Sequence, residues 1–173
     1  MVAPLVKLRQ AGLDDVKPIR AILAAAAADL TARFGQGHWS TVRTTETLRK
    51  YVDDRVVYVV EADGLMVGSL RQTDRKIGFY RQDWFARPDD PAGYLLDMAV
   101  HPDHQRRGIG HRSMQLTEHL AGRAGLRSIR LDAYAGSAGA GGFYKACGYA
   151  LVHTGEFKGV ALEYYEKLLP PRS

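Results

Sequence analysis

The chain has one cysteine, Cys147, among 173 residues. A single thiol rules out an internal disulfide and a cysteine-rich zinc site. Long apolar runs are also missing. The longest, Ala21–Ala28, is mostly alanine, well short of the ~20 residues of a membrane-spanning helix. Met1–Lys7 lacks the basic, apolar and cleavage regions of a signal peptide, so a cytoplasmic address is expected. Of six histidines, His101 and His104 lie three apart in a proline-containing loop, with no acidic partner set. That spacing does not make an H-E-x-x-H site, and no metal is expected.

What is present fits an ordinary globular protein. Hydrophobic residues make up 46% and charged residues 25%, which argues against disorder. The length suits one domain spanning residues 1–173, large enough to bury roughly 70% of its unfolded surface. The net charge is +5 and the pI about 9.4. A basic chain suits nucleic acid, anionic lipid or a small polyanion. Its densest cluster, Arg106-Arg107 with His104, His111 and Arg112 nearby, coincides with a glycine turn, which favours a compact phosphate ligand over a duplex.

The pattern predicts a strand over residues 5–9 and a helix capped at Asp14 or Asp15. That helix carries Val16, Ile19, Leu23, Ala26 and Leu30 on one face and ends near Gly35. A second helix starts near Thr44. Two strands, 56–60 and 65–70, flank an Asp63-Gly64 hairpin turn. Residues 72–92 read as a long loop containing Tyr80, Trp84 and Phe85. Then come a strand at 94–100, a helix at 108–121 with Ile109, Leu116 and Leu120 on one face, and a strand at 128–133. A small-residue helix at 138–147 and strands at 149–153 and 160–168 close the chain. Of Tyr164 and Tyr165, alternation predicts that only one faces the core. One β-α-β crossover implies a parallel pair, so the expected fold is α/β with a mixed sheet and flanking helices.

The strand ending at Val100 runs into His101-Pro102-Asp103-His104-Gln105-Arg106-Arg107-Gly108-Ile109-Gly110-His111. Glycine allows close backbone approach, and a helix start aims free N–H groups and its positive dipole end at one point. Together they make an anion site suited to a pyrophosphate. A dinucleotide fingerprint fails here, because its third glycine is Ser113, and no Walker lysine is present.

Gln105-Arg106-Arg107-Gly108-Ile109-Gly110 resembles the Q/R-x-x-G-x-G/A signature of the GNAT superfamily of N-acetyltransferases. Residues 94–102 resemble the strand that precedes it there. Ala140-Gly141-Gly142-Phe143-Tyr144-Lys145-Ala146-Cys147-Gly148-Tyr149 is similar to the family's A-x-x-F-Y-x-x-x-G-F/Y motif. The resemblance implies a mostly antiparallel sheet in which one parallel pair splays apart, leaving backbone groups of Met98, Ala99 and Val100 to receive the arm of acetyl-CoA. It implies that Gln105, Arg106, Arg107, Gly108, Ile109, Gly110 and His111 cradle the pyrophosphate. It implies Tyr144 as the acid that protonates the departing thiolate, in contact with the cofactor. Ser137 stands where the family often has asparagine, and its shorter side chain leaves that cofactor contact open.

Transfer to an amine also needs a base, because an ammonium has no lone pair. Asp132 and Asp97 are the candidates, with a water chain as a third route. Trp39, Tyr80 and Trp84 are placed either as walls of the acceptor site or as packing for their loops. The expected activity is acetyl-CoA-dependent N-acetyl transfer to a primary amine, on a small molecule or a protein, within a ternary complex. Cys147 matches no nucleophile position of the family pattern. The alternative is a non-catalytic acyl-CoA-sensing or nucleic-acid-binding module. No membrane partner is expected, and a homodimer stays open.

Overall fold

The computed structural model describes residues 2–171. Its strands form one seven-stranded sheet in the order β1-β2-β3-β4-β5-β7-β6. Among the described pairings only β4 with β5 is parallel. The chain divides into two compact units, one formed by the residues up to Gln72 with Asp97–Leu116, the other by Thr73–Leu96 with the residues from Thr117 onward.

The first unit holds β1 (Val6–Gln10), α1 (Val16–Phe34), α2 (Thr45–Asp53), β2 (Val57–Ala62) and β3 (Leu65–Thr73). Thr44 caps α2 by accepting from the Thr47 N–H at 3.2 Å, which satisfies one of the free N–H groups of its first turn. Asp63 and Gly64 both take positive φ, as the two-residue β2–β3 hairpin requires. Ala11, Val16, Ile19, Leu48, Val52, Val57 and Val59 form the core, with Leu23 and Tyr51 packed against it. On α1 the buried residues are Val16, Ile19, Ile22 and Ala27, so the apolar face is rotated slightly from the one that the three- and four-residue spacing of Leu23, Ala26 and Leu30 predicts.

β4 (Ala92–Val100) and α3 (Ile109–Arg123) run through both units. The buried side of α3 is Ile109, Ser113, Met114, Thr117 and Ala121. Leu120, expected on that face, is exposed. Ser113 can be buried because its hydroxyl donates to the Ile109 carbonyl at 2.8 Å.

The second unit holds β5 (Ser128–Tyr134), α4 (Gly141–Ala146), β6 (Ala150–Phe157) and β7 (Val160–Leu168). β7 pairs with β5 along its length, from Ser128↔Leu168 to Tyr134↔Leu162, and with β6 on its other side. Tyr164 and Tyr165 are both buried, correcting the expectation that only one would be. Tyr164 joins Tyr80, Phe85, Tyr94 and Leu162 on one face of the sheet. Tyr165 faces the opposite way, where its ring lies 6.2 Å from that of Tyr144 on α4. A strand covered on both faces buries consecutive residues. α4 starts at Gly141, later than the expected 138, because Gly136–Gly139 form a turn. A side chain at Gly139 would collide with the Tyr134 carbonyl.

Residues 74–91 contain one 3-10 turn, Gln82–Trp84, and are otherwise irregular, yet they are firmly tied down. Arg130, at 1% exposure, is the tie. Its Nε donates to Glu166 Oε2 at 3.0 Å, one Nη to Gln82 Oε1 at 2.8 Å and the other to the Arg87 carbonyl at 2.8 Å. Its guanidinium lies 4.2 Å from the Phe85 ring centroid. Glu166 Oε1 accepts from the Ala86 N–H at 2.9 Å. Removing one member of a buried ion pair strands the other charge, at a cost of about 3–5 kcal/mol. Arg130→Met is therefore expected to lower stability by about that much in urea titration. Adding Glu166→Leu should recover part of the loss, and a single variant as stable as wild type would contradict this account.

Candidate active site

β4 breaks its regular conformation at Asp97, whose φ is +47°, in the left-handed region that non-glycine residues rarely enter. The carboxylate accepts from Arg71 Nε at 2.9 Å and lies 3.6 Å from Arg43 Nη2. Arg71 in turn stacks on the Tyr51 ring, 3.8 Å from its centroid. Asp97, one of the two candidate bases, is thus engaged with two guanidiniums.

The parallel register pairs Ala92, Gly93 and Tyr94 with Ser128, Ile129 and Arg130 and extends no further, although β4 continues to Val100 and β5 to Tyr134. The Val100 carbonyl, expected to lack a partner, accepts from Gln105 Nε2 at 2.9 Å. The Gln105 amide thereby folds the following turn back onto the strand end.

That turn holds two left-handed residues just ahead of a helix start. His101 Nδ1 accepts from the Asp103 N–H at 3.2 Å and starts the single 3-10 turn Pro102–His104. Arg106 and Gly108 then take φ of +57° and +77°, and α3 begins at Ile109. Alternating left-handed residues turn successive N–H groups toward one concave face. A Cβ on Gly108 would meet no atom, so the positive φ, and not crowding, calls for glycine there. The first turn of α3 carries no acid. Among the described residues no salt bridge engages Arg106, Arg107 or Arg112. Arg107 instead lies 3.2 Å from His104 Nδ1, and Arg112 donates to Gln115 at 3.0 Å. The Ile109 side chain is buried, so only its backbone faces the turn.

In the second unit, Tyr144 projects from α4 and is buried. Burial, with the charge of Asp132 second, holds its phenol well above the ordinary tyrosine value. The Tyr80 hydroxyl donates to Asp132 Oδ1. Burial and the same carboxylate hold the Tyr80 phenol above the ordinary range as well. Asp132 lies across from Tyr164 in the β5–β7 register, and its charge also raises that phenol, after burial. Burial first and the Asp132 carboxylate second thus raise all three phenols.

Of the remaining sequence candidates, Tyr80 and Trp84 both pack against Tyr164 in the second unit. Tyr80 is a core residue at 5% exposure, with ring contacts to Phe79, Phe85, Tyr94 and Tyr164, so its contacts are those of a loop anchor. Trp84 is half-buried and stacks on His153, centroids 3.9 Å apart and planes 13° apart. Trp39, in the first unit, donates its indole N–H to the Gly35 carbonyl at 3.0 Å, and its ring covers Gly37. Ser137 is exposed in the turn before α4.

Three groups had escaped sequence reasoning. Arg130, between Ile129 and Leu131 in a strand, is a charge where a core residue would sit, and that was a readable signal. Tyr165 donates to Glu163 at 2.5 Å, and burial with that carboxylate pushes its phenol up to about 12. Lys167 donates to Glu118 and to the Cys147 carbonyl, both at 2.8 Å. Those two contacts join residues too far apart in the chain for any local pattern to show.

Burial also raises the Tyr149 phenol far above its ordinary value. Spectrophotometric titration of the nine tyrosines should thus leave at least Tyr80, Tyr144 and Tyr149 un-ionised until alkaline unfolding. Reversible ionisation of all nine in the folded protein would contradict the burial described here.

Among the described residues, no group of three or more His, Cys, Asp or Glu is arranged to hold a metal ion. No described helix is long and apolar enough to cross a membrane. The model of the acetyltransferase (GNAT) family matches residues 24–149, well over half of the chain. A search of curated proteins finds no match. Solved structures resemble the whole fold. A GNAT-family acetyltransferase of Listeria monocytogenes has a TM-score of 0.73 at 20% identity, covering 98% of this chain and 99% of that one. One from Streptococcus agalactiae reaches 0.79 at 15% identity, over 95% and 96%. A Salmonella typhimurium acetyltransferase structure containing its cofactor acetyl-CoA gives 0.68 at 18%, over 97% and 96%. At these identities the structural likeness speaks for the fold, and the family match carries the assignment: the chain belongs to the GNAT family of acetyltransferases.

Proposed function

We propose that residues 1–173 act as one acetyltransferase domain that moves the acetyl group of acetyl-CoA to a primary amine by direct transfer in a ternary complex. The acceptor is a small molecule or a protein amino group. The observation that carries this reading is the buried Tyr144 phenol on α4, in the same unit as the Asp132 carboxylate. One group can give a proton and the other can take one, which is what amide formation from a thioester demands.

The residues fit the donor. When bound, acetyl-CoA supplies an activated acyl carbon and a thiolate leaving group. The N–H groups from Arg106 to His111, in a turn without acids in the helix start, suit its pyrophosphate. Arg106 and Arg107, exposed and outside any described salt bridge, add positive charge. Backbone groups of Met98, Ala99 and Val100 are proposed to hold the arm, with the Val100 carbonyl shared with Gln105. Ser137, exposed in the turn before α4, is proposed to contact the arm through its hydroxyl. Tyr144 gives its proton to the departing sulfur. Asp132 takes one from the acceptor nitrogen. Asp97 is assigned to holding Arg71 and Arg43. Trp39 and Trp84 are proposed to border the acceptor.

Calorimetric titration with acetyl-CoA, CoA and NAD tests the donor assignment. Micromolar binding of the two CoA species, without NAD binding, is expected. Binding without thiol release for any amine would make the chain a sensor, and no CoA binding by folded protein would remove the reading. Tyr144→Phe should lower kcat about 100-fold or more with little change in the KM for acetyl-CoA. A phenol held above its ordinary ~10 stays protonated, so no loss of rate from Tyr144 ionisation is expected below about pH 10. Full turnover by Tyr144→Phe across the pH range would remove its role as acid.

A further inference from the structure

We infer that Tyr80 is a positioning residue for Asp132, fixing the orientation and proton affinity with which that carboxylate receives the acceptor's proton. This rests on the reading of Asp132 as the base. The contact spans 52 residues of sequence and is specific: a buried phenol O–H donates to one carboxylate oxygen. The phenol can act only as a donor at working pH, because burial and Asp132 keep it protonated.

Tyr80 is itself held on every side. Its ring packs edge-on against Phe79 and Tyr164, at centroid distances of 5.1 and 5.3 Å. Its N–H donates to the Ile77 carbonyl at 3.0 Å. Two residues on, Gln82 is fastened to Arg130, and Arg87 and Ala86 are fastened to the same buried ion pair. A surface phenol would reorient freely, whereas this one presents its hydroxyl from a single direction. A hydroxyl already placed by packing loses little entropy on bonding, which is what a preorganised site requires.

The other groups near Asp132 are Tyr144 from α4, Tyr164 from β7, and Arg130 and Tyr134 two residues away on β5. His153 of β6 lies behind Tyr164, with ring centroids 5.6 Å apart. Arg130 is engaged with Glu166, and Tyr144 is assigned to the leaving group. The Tyr80 hydroxyl is bonded directly to Asp132. In the reaction the acceptor attacks as the neutral amine: its C–N bond forms as the C–S bond of the thioester breaks, one nitrogen proton passes to an Asp132 oxygen, and the Tyr144 proton goes to the departing sulfur. Tyr80 keeps its own proton throughout. A donated hydrogen bond favours the ionised carboxylate, so Asp132 stays available as a base to lower pH than it would alone.

Tyr80→Phe keeps the ring and removes the donor. Two readouts are compared with wild type and with Asp132→Asn: the acid limb of kcat/KM, and the Asp132 carboxyl titration followed by carbon NMR in the protein alone. In Tyr80→Phe both should move to higher pH by about one unit, with the KM for acetyl-CoA unchanged. In an Asp132→Asn background, Tyr80→Phe should add no further loss. Coincidence of both readouts with wild type, while Asp132→Asn lacks the limb, overturns the role of Tyr80 and leaves the base standing. An Asp132→Asn enzyme that keeps limb and rate removes the base reading and this inference with it. The NMR readout needs no turnover, so a poorly active variant still decides the coupling.

Discussion

A guanidinium at 1% exposure must be bonded on all sides or the fold would not retain it. Arg130 meets that demand with a carboxylate, a side-chain amide, a phenol and a main-chain carbonyl, and with the face of Phe85. Most of these partners lie in the irregular segment between β3 and β4. An irregular chain of that length has a large entropy to lose, and the buried ion pair is what orders it. The positions of Tyr80 and Trp84 follow from that. So does the placement of a phenol on Asp132, since Gln82 is only two residues beyond Tyr80.

The second unit gathers buried phenols around a carboxylate, and the first carries exposed arginines on a glycine turn. Burial in an aromatic-rich core raises phenols, and a nearby anion raises them further. Tyr80, Tyr144 and Tyr164 share one such anion, Asp132. In the first unit the relevant groups are backbone N–H donors and exposed arginines on a glycine turn. There α3 opens without an acid, and the Asp97 carboxylate is paired with Arg71 and Arg43. The left-handed backbone at Asp97 turns its side chain toward those arginines and away from simple strand alternation.

Much of this was legible in one dimension because it rests on local chemistry. The Asp63-Gly64 turn, the Thr44 cap and the glycine turn before α3 are set by residues within a few positions of one another. The two motifs that mark the family are equally local. Where alternation was read as one-sided burial it failed at Tyr164 and Tyr165, since strand pattern does not reveal what covers the second face. It failed at Leu120 for a related reason: Ser113 and Thr117 are small enough to be buried on α3, with Ser113 bonding its own helix, which lets the buried face rotate.

The amino-acid sequence alone determined the family, the order of elements and the glycine turn before α3, because each depends on short-range backbone geometry and on a residue's own chemistry. Only the tertiary structure decided which acid is engaged by arginines and which by a phenol. Arg71 reaches Asp97 across 26 residues and Tyr80 reaches Asp132 across 52. An ion pair and a hydrogen bond act over a few ångströms in space, and strand pairing and loop anchoring, not sequence distance, decide which groups come that close.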